Sequence, residues 1–191
     1  MRKLVVISLI SVLAIANEAN VTNSDMAIAK EGVKYIKILG KTLKQNVGKR
    51  LKADPSGVEA AKFCSTKAKE IAKEAMKDFP KNIKIRRTAL KYRNENNKPD
   101  AVDEKVLKEM EAALKARNLK KKPIVVDVNG TKRVYVPVFV EKACTKCHGD
   151  IKDINPKVKE IISKAYPNDK AIGFKVGDLR GAMVAEIKPK K

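Results

Sequence analysis

The sequence predicts an α+β domain from three observations. Up to about residue 79, apolar residues recur every three or four positions, the period of an amphipathic helix. Beyond residue 82 the period changes to two, which is typical of strands. Asn129-Gly130 separates two β-rich runs and is a strong hairpin signal. We therefore expect a helical hairpin over 24–79, followed over 82–187 by an antiparallel sheet with flanking helices.

The hairpin is built from two helices. The first follows an apolar stripe from Met26 to Leu51 and ends at Asp54-Pro55, because the residue before a proline disfavours helical backbone. The second covers about 56–79, stops at Pro80 and places Cys64 on its apolar face. Lysines occupy the other faces of both helices, as expected for surfaces in water.

The second part alternates strands and helices. A strand is predicted over 83–93, and Asp100 is a candidate N-cap for a helix that carries Val102 to Leu114. Further predicted elements are strands over 123–128 and 134–140, a helix over 156–165, and strands over 172–176 and 182–187. This order is typical of an α+β domain.

The first sixteen residues have the three parts of a secretory signal peptide. Met1-Arg2-Lys3 is basic, residues 4–15 are mostly apolar, and Ala14-Ile15-Ala16 is a small-residue cleavage site, with a cut after Ala19 as an alternative. An uncleaved anchor is disfavoured, since about a dozen helical residues span only about 18 Å of a hydrocarbon core about 30 Å thick. We expect export to a bacterial periplasm and a single domain over 17–191, without a transmembrane segment in the mature chain.

The charge of the chain raises the question of its partner. Lys and Arg number 43 against 22 Asp and Glu, a net charge of +21, which is compatible with nucleic acid or anionic lipid. An exported chain does not ordinarily meet nucleic acid, and the lysines are spread along helix faces beside acidic residues. The charge therefore favours an acidic redox partner or loose contact with anionic lipid, not nucleic acid, and it leaves the oligomeric state open.

One motif carries recognisable chemistry. Cys144-Thr145-Lys146-Cys147-His148 has the C-x-x-C-H spacing of covalent haem attachment. Two thiols three residues apart can form thioethers on one side of a porphyrin, and the next residue then lies beneath the iron as an axial ligand. His148 is the only histidine, which excludes sites that need two imidazoles. The motif predicts one covalent haem c per chain, attached through Cys144 and Cys147, with His148 as the proximal ligand.

Three other interpretations of the motif stay open. A Cys₃His zinc site would take Cys64 as its fourth ligand. Cys144 and Cys147 would alternatively form a thioredoxin-like redox dithiol or a simple disulfide, which suits an oxidising compartment. Haem is favoured because the motif contains the single His and follows an export signal.

The distal side of the iron has several candidate ligands. Met26, Met76 and Met110 lie in apolar stripes, and Cys64 lies on the apolar face of the second helix. Lysine, the N-terminus, water or no ligand are further alternatives. Cys64 also fits the role of a small buried hydrophobe that fills space in the core, which is common for free cysteine. Spacing alone favours this role and the role of an iron ligand equally.

Five blocks of sequence resemble periplasmic c-type haem proteins with a PAS-like fold, which occur as stand-alone proteins and as extracytoplasmic sensor domains. The blocks are EAAKFCSTKAKEIA (59–72), RTALKYRN (87–94), NKPD (97–100), CTKCHG (144–149) and GFKVGDLRG (173–181). They span most of the mature chain. Glu95 departs from the family pattern, where proline more often follows the Arg-Asn pair, and this concerns local loop geometry only.

The resemblance implies a helical hairpin followed by a PAS-like antiparallel sheet. It also implies that the haem iron is held by the motif histidine, here His148, and by a cysteine of the second helix, here Cys64. With no kinase module after the domain, the chain is similar to the stand-alone form.

Two roles follow from an iron with histidine and cysteine ligands. The first is electron transfer, since no coordination position is left for a substrate. The alternative is a redox or gas sensor in which Cys64 leaves the iron on reduction and a partner protein reads the change. Peroxidase-type catalysis needs an open distal position and an acid–base group, so we expect no enzyme. Candidates for ion pairs with haem propionates are Arg93 and Arg87, followed by Arg86, Lys175 and Arg180.

Overall fold

The structure, a computed structural model, describes residues 23–120 and 122–189. In this range the helices are α1 (Asn23–Ala53), α2 (Val58–Thr66), α3 (Ala68–Ala75), α4 (Ala101–Lys115), α5 (Thr145–His148) and α6 (Pro156–Ala165). The strands are β1 (Ile83–Thr88), β2 (Ile124–Val128), β3 (Thr131–Phe139) and β4 (Leu179–Ile187), and they form one antiparallel sheet in the order β1-β4-β3-β2. The predicted α+β class, a helical hairpin followed by an antiparallel sheet with flanking helices, is confirmed.

The N-terminal signal peptide predicted over 1–16 lies outside the described residues. Within the described ranges, no helix combines the length and the apolar character that crossing a bilayer requires.

The sheet is buried on both faces, and β4 at its centre shows why. Its alternate residues Met183, Ala185 and Ile187 pack with Ile36 and Leu39 of α1. The residues between them, Ala182 and Val184, pack on the opposite face against an apolar stripe of α4, formed by Val106, Leu107 and Met110. Because successive strand residues point to opposite faces, one strand contributes to both cores. The domain is a helix–sheet–helix sandwich.

The second helix of the hairpin differs from its prediction as one continuous element over 56–79. It is divided at Lys67 into α2 and α3. The hydroxyls of Ser65 and Thr66 both donate to the carbonyl of Lys62, at 2.9 and 2.8 Å. Such bonds compete with the helical ladder and bend a helix locally. The resulting break at Lys67 lies three residues after Cys64.

The strand predicted over 172–176 is wrong. Gly173 and Gly177 have φ of +74° and +93°, which interrupts extended backbone. The segment pairs with the C-x-x-C-H motif instead of the sheet: the Gly173 amide donates to the Gly149 carbonyl at 2.7 Å, and the Phe174 amide donates to the His148 carbonyl at 2.9 Å. Similarly, the strand predicted over 83–93 ends at Thr88, and its remainder lies near the motif.

A buried ionic network joins the sheet to the start of α4. Asp103, only 1% exposed, accepts hydrogen bonds from Arg86 at 2.6 and 2.9 Å and from the Tyr135 hydroxyl at 2.7 Å. Arg86 also pairs with Glu186 of β4 at 2.7 Å. Burial by itself raises the pKa of Asp103, but the hydrogen bonds and the Arg86 charge outweigh it and hold the pKa below its ordinary value. Asp100 caps α4 as predicted, accepting from the Asp103 amide at 2.8 Å.

We expect Asp103→Ala to lower the free energy of unfolding at pH 7 by about 3 kcal/mol, because it removes a buried carboxylate and leaves the half-buried guanidinium of Arg86 short of one partner. Urea titration measures the effect, with the exposed Glu109→Ala of the same helix as a control that changes stability little.

The difference between wild type and Asp103→Ala depends on pH. A carboxyl whose pKa is lowered on folding stabilises the folded state when the pH is above its unfolded pKa, which for Asp103 is 3.8. That contribution is lost as the pH falls through the folded pKa. The gap in stability should therefore narrow below pH 3.8. A gap that stays constant down to pH 2 would show that the carboxylate charge is not what stabilises the network.

Candidate functional site

The C-x-x-C-H motif folds into a short turn followed by α5. A 3-10 turn covers Lys142–Cys144, and α5 covers Thr145–His148. Glu141 anchors the start of this turn. Its backbone amide donates to Cys144 Sγ at 3.3 Å, and its carbonyl accepts from the Cys144 amide at 2.9 Å. Its carboxylate pairs with Lys44 of α1 at 2.6 Å. Residues three apart on a helical turn share a face. Cys144 and Cys147 are therefore neighbours, with His148 next in the chain.

The backbone turns sharply after His148 because residue 149 has no side chain. A Cβ at Gly149 would lie 2.6 Å from the Thr145 carbonyl oxygen, which is closer than atoms in proteins approach. The Gly149 amide donates to that same oxygen at 3.0 Å. This tight exit brings the chain onto the 172–174 segment, which pairs with it.

His148 is oriented by one buried carbonyl. Its Nδ1 lies 2.8 Å from the oxygen of Ala171, a residue that is fully buried. A carbonyl only accepts, so Nδ1 carries the proton and Nε2 keeps its lone pair. Burial, followed by the charges of Arg93 and Arg180, holds the pKa of His148 well below its ordinary value. The imidazole is neutral and has the form that ligates a metal.

Arg93 connects the loop after β1 to the motif. Its Nη2 donates to the carbonyls of Cys147 at 2.7 Å and Ala171 at 3.2 Å, and its guanidinium pairs with Asp169 at 3.0 Å. The side chain is 11% exposed. Arg93 thus binds the same carbonyl that orients His148. Its predicted contact with a haem propionate stays a prediction.

Positive charge is concentrated beside the motif. Arg180, at the start of β4, donates to the Lys91 carbonyl at 3.0 Å, and its guanidinium lies 5.3 Å from the ring centroid of Phe174. Burial, then the like charges of Arg93 and Arg87, lower the pKa of Arg180 to about 10, and Asp169 opposes this shift. In the described residues, Asp169 pairs with Arg93, and neither Arg180 nor Arg87 has a carboxylate partner. The arginine cluster, formed by Arg87, Arg93 and Arg180, can therefore bind an anionic group.

Cys64 faces the same region from α2. The residue is exposed, yet burial among protein atoms raises the pKa of its thiol, against the lowering charges of Arg87, Arg93 and Arg50. Accessibility combined with desolvation is typical of a group that lines a crevice. The Cys64 carbonyl accepts from the Tyr166 hydroxyl at 2.9 Å, which ties α2 to the end of α6.

The structure brings Cys64 into the electrostatic range of the motif. Burial raises the pKa of Cys147 to about 11, Arg93 lowers it, and Cys64 and Cys144 both raise it further. Cys147 also packs at the edge of the apolar cluster that joins α2 and α6, formed by Ala61, Ile154, Val158 and Ile162. Of the predicted site residues, Cys64, Cys144, Cys147, His148, Arg87 and Arg93 therefore share one region.

The other candidates lie elsewhere. Met110 is in the core beneath α4, Met76 packs with α1 and the sheet, and Met26 is exposed on α1. Arg86 belongs to the Asp103 network, and Lys175 is exposed. These placements leave Cys64 as the sulfur ligand candidate that faces the motif.

Of the alternatives to haem, the zinc site is the one on which the geometry bears directly. The three cysteines are free, and in the described ranges no three His, Cys, Asp or Glu side chains converge as metal ligands. No Cys₃His zinc site is therefore assembled in the described part of the chain.

Three parts of the site escaped prediction: Asp169, Tyr166 and the Ala171 carbonyl. Asp169 and Tyr166 follow α6, in a segment whose sequence has no motif of its own. A backbone carbonyl has no sequence signal at all. The tertiary fold brings the Ala171 carbonyl to His148 and Arg93, Asp169 to Arg93, and the Tyr166 hydroxyl to the Cys64 carbonyl.

The fold and the site together define the class: an α+β domain in which a helical hairpin precedes an antiparallel sheet and a C-x-x-C-H motif lies before the last strand. The chain belongs to the Tll0287-like family, whose model matches residues 12–188. The crystal structure of the cyanobacterial heme-protein Tll0287 superimposes with a TM-score of 0.61 at 23% identity, covering 89% of this chain and 98% of that chain. The likeness establishes the fold. Comparison with curated proteins finds no match.

We expect Gly149→Ala to destabilise the protein by about 1–3 kcal/mol, the usual cost of overpacking. The added Cβ would meet the Thr145 carbonyl, and the chain must shift at the residue next to His148. Gly48→Ala in α1 is the matched control: nothing lies within 4 Å of the new Cβ, and alanine favours a helix. Thermal unfolding of the two variants compares them, and equal melting temperatures would contradict the steric argument.

Proposed function

We propose that this protein is an exported c-type haem protein that carries electrons. The observation that supports it most directly is the donor set of the motif. Both thiols are free, and the bond from His148 Nδ1 to Ala171 leaves Nε2 available as a ligand. The family takes its name from a protein described as a cyanobacterial heme-protein, which agrees with the chemistry of these residues.

Cys144 and Cys147 would hold the porphyrin through thioethers, and His148 would be the proximal ligand. Arg93 binds the Cys147 carbonyl and Asp169, so the backbone on which the thiols and the imidazole sit is fixed from outside. A ligand that is held by hydrogen bonds of its own keeps its orientation. This rigidity suits a centre that gains and loses an electron without rearrangement.

Cys64 would be the distal ligand. It is the sulfur candidate that faces the motif. Burial raises the pKa of its thiol, and the nearby charges of Arg87, Arg93 and Arg50 oppose that rise. When bound, a haem supplies a one-electron couple between ferric and ferrous iron, and a thiolate ligand favours the ferric form.

Arg180 and Arg87 are the residues best placed for the propionates. Neither has a carboxylate partner among the described residues. Burial and then repulsion from Arg93 and Arg87 lower the pKa of Arg180, and two added carboxylates would relieve the repulsion. Arg93, in contrast, is already engaged with Asp169. We therefore propose that Arg93 holds the backbone of the motif and that Arg180 is a better candidate than Arg93 for a propionate contact.

The proposed role is that of a carrier and not of an enzyme. The single imidazole is bound to Ala171 and reserved as a ligand, which leaves no second one for acid–base work. The exposed cations Arg87, Lys142 and Lys146 surround the motif, and they suit an acidic redox partner whose approach is steered by charge and weakened by salt. A periplasmic location follows from the predicted signal peptide.

A sensor remains the alternative, and one observation favours it. Cys64 is exposed and lies three residues before the break between α2 and α3 at Lys67. A ligand beside a helix break is well placed to leave the iron on reduction, and the helix would then move.

We expect the pyridine haemochrome spectrum of the purified protein to be that of a c-type haem. Wild type should retain haem through acid–acetone extraction, whereas Cys144→Ser combined with Cys147→Ser should lose it. Cys64→Ser is the matched control and should keep covalent haem. Protein that contains zinc and no iron would overturn the proposal.

We expect Cys64→Ala to change the low-spin ferric spectrum and to create a site for carbon monoxide after reduction, since it removes the distal ligand. Lys69→Ala, at an exposed position of the neighbouring α3, should behave as wild type because its side chain lies in solvent. Reduced wild type should be inert to carbon monoxide if the protein is an electron carrier. Rapid binding by wild type would favour the sensor, and an unchanged Cys64→Ala spectrum would exclude Cys64 as a ligand.

A further inference from the structure

A groove lies between the first turns of α1 and the segment that enters β2, away from the motif. Its volume is about 770 Å³, within the range of about 300–1,000 Å³ that small-molecule sites occupy. None of the residues that line it belongs to the C-x-x-C-H region or to its arginine cluster. The groove is therefore a separate feature that the proposed haem function does not use.

The interior of the groove is apolar. Met26, Ala29 and Val33 line it from α1, and Pro123 and Val125 line it from the other side. The spacing of three and four residues puts the α1 members on one stripe. Met26 is 53% exposed, although the burial of a large apolar side chain is favourable. An apolar ligand would cover this surface.

The rim of the groove is cationic. Lys30, Lys34 and Lys37 follow one face of α1, and Lys122 lies opposite them. All four are exposed, and none has a carboxylate partner within the described residues. Asp25, the acidic residue of the lining, lies 3.1 Å from Lys132. The rim thus offers uncompensated positive charge above an apolar interior.

We propose that this groove binds a single-chain anionic amphiphile of the fatty-acid class. The apolar interior would take the acyl chain, and the lysines of the rim would bind the carboxylate. A small hydrophilic anion would leave the interior uncovered. A flat bilayer would not fill a recess of this volume. Charge complementarity and shape together select a chain with an acidic head group.

The experiment is isothermal titration calorimetry of the exported wild-type protein with laurate below its critical micelle concentration. Binding of one laurate per chain is expected. Lys30→Glu combined with Lys34→Glu should weaken it at least about tenfold, because charge-assisted contacts are lost. Lys105→Glu combined with Lys115→Glu changes the charge equally on exposed positions of α4, and it should leave binding unchanged.

A second variant tests the interior. Ala29→Phe fills the groove while keeping every lysine, and it should also abolish laurate binding. If the lysine variant loses laurate binding and Ala29→Phe keeps it, laurate adsorbs to the charged surface without entering the groove. That result would overturn the proposal. The absence of laurate binding by wild type would do the same.

Other occupants have their own signatures, and each would overturn the proposal. Binding to anionic phosphatidylglycerol vesicles without binding of monomeric laurate would assign the face to a membrane surface. Self-association that Ala29→Phe abolishes would assign it to a second copy of the chain. Laurate binding only by a chain that begins at residue 23 would assign it to the chain's own N-terminal segment.

Discussion

The candidate site depends on one carbonyl oxygen. The Ala171 oxygen accepts from His148 Nδ1 at 2.8 Å and from Arg93 Nη2 at 3.2 Å. Ala171 is fully buried, and a buried carbonyl is costly unless it is hydrogen-bonded. The two donors therefore satisfy the oxygen while the oxygen orients both of them. Through this atom, the loop after β1 and the segment before β4 hold the imidazole from outside its own helix.

Electrostatics adds a second constraint to the same region. Burial is the largest influence on the pKa values of Arg180, His148 and Cys64, and the charges of Arg93 and Arg87 act on all three groups by lowering those pKa values. Asp169 offsets part of this charge by pairing with Arg93. An accumulation of like charge without equal compensation is unfavourable for folding. Sites for anionic ligands accept such a cost because the ligand relieves it, and this is consistent with the proposed propionate contacts.

The sequence predicted the helices best, because each of them buries one face, and it predicted the β2–β3 hairpin from the Asn-Gly turn. The apolar stripe of α1 matches its contact with the sheet, the helix predicted over 156–165 coincides with α6, and the hairpin at Asn129-Gly130 joins β2 to β3. The errors lie where local pattern and tertiary contact disagree. Residues 172–176 alternate like a strand, yet their amides bind the carbonyls of His148 and Gly149 instead of a neighbouring strand. The 56–79 helix is divided because two hydroxyls bond to the carbonyl of Lys62.

The covalent attachment that we propose was predicted from the sequence alone, because C-x-x-C-H places its three groups within about one helical turn. Spacing could not decide whether Cys64 was a ligand or a filler, since 80 residues separate it from Cys144. Tertiary structure decided that it faces the motif: the packing of α2 on α6 puts Cys64 in the electrostatic range of Cys147. Tertiary structure also decided the tautomer of His148, because the atom that sets it is a backbone carbonyl, and every residue type has one.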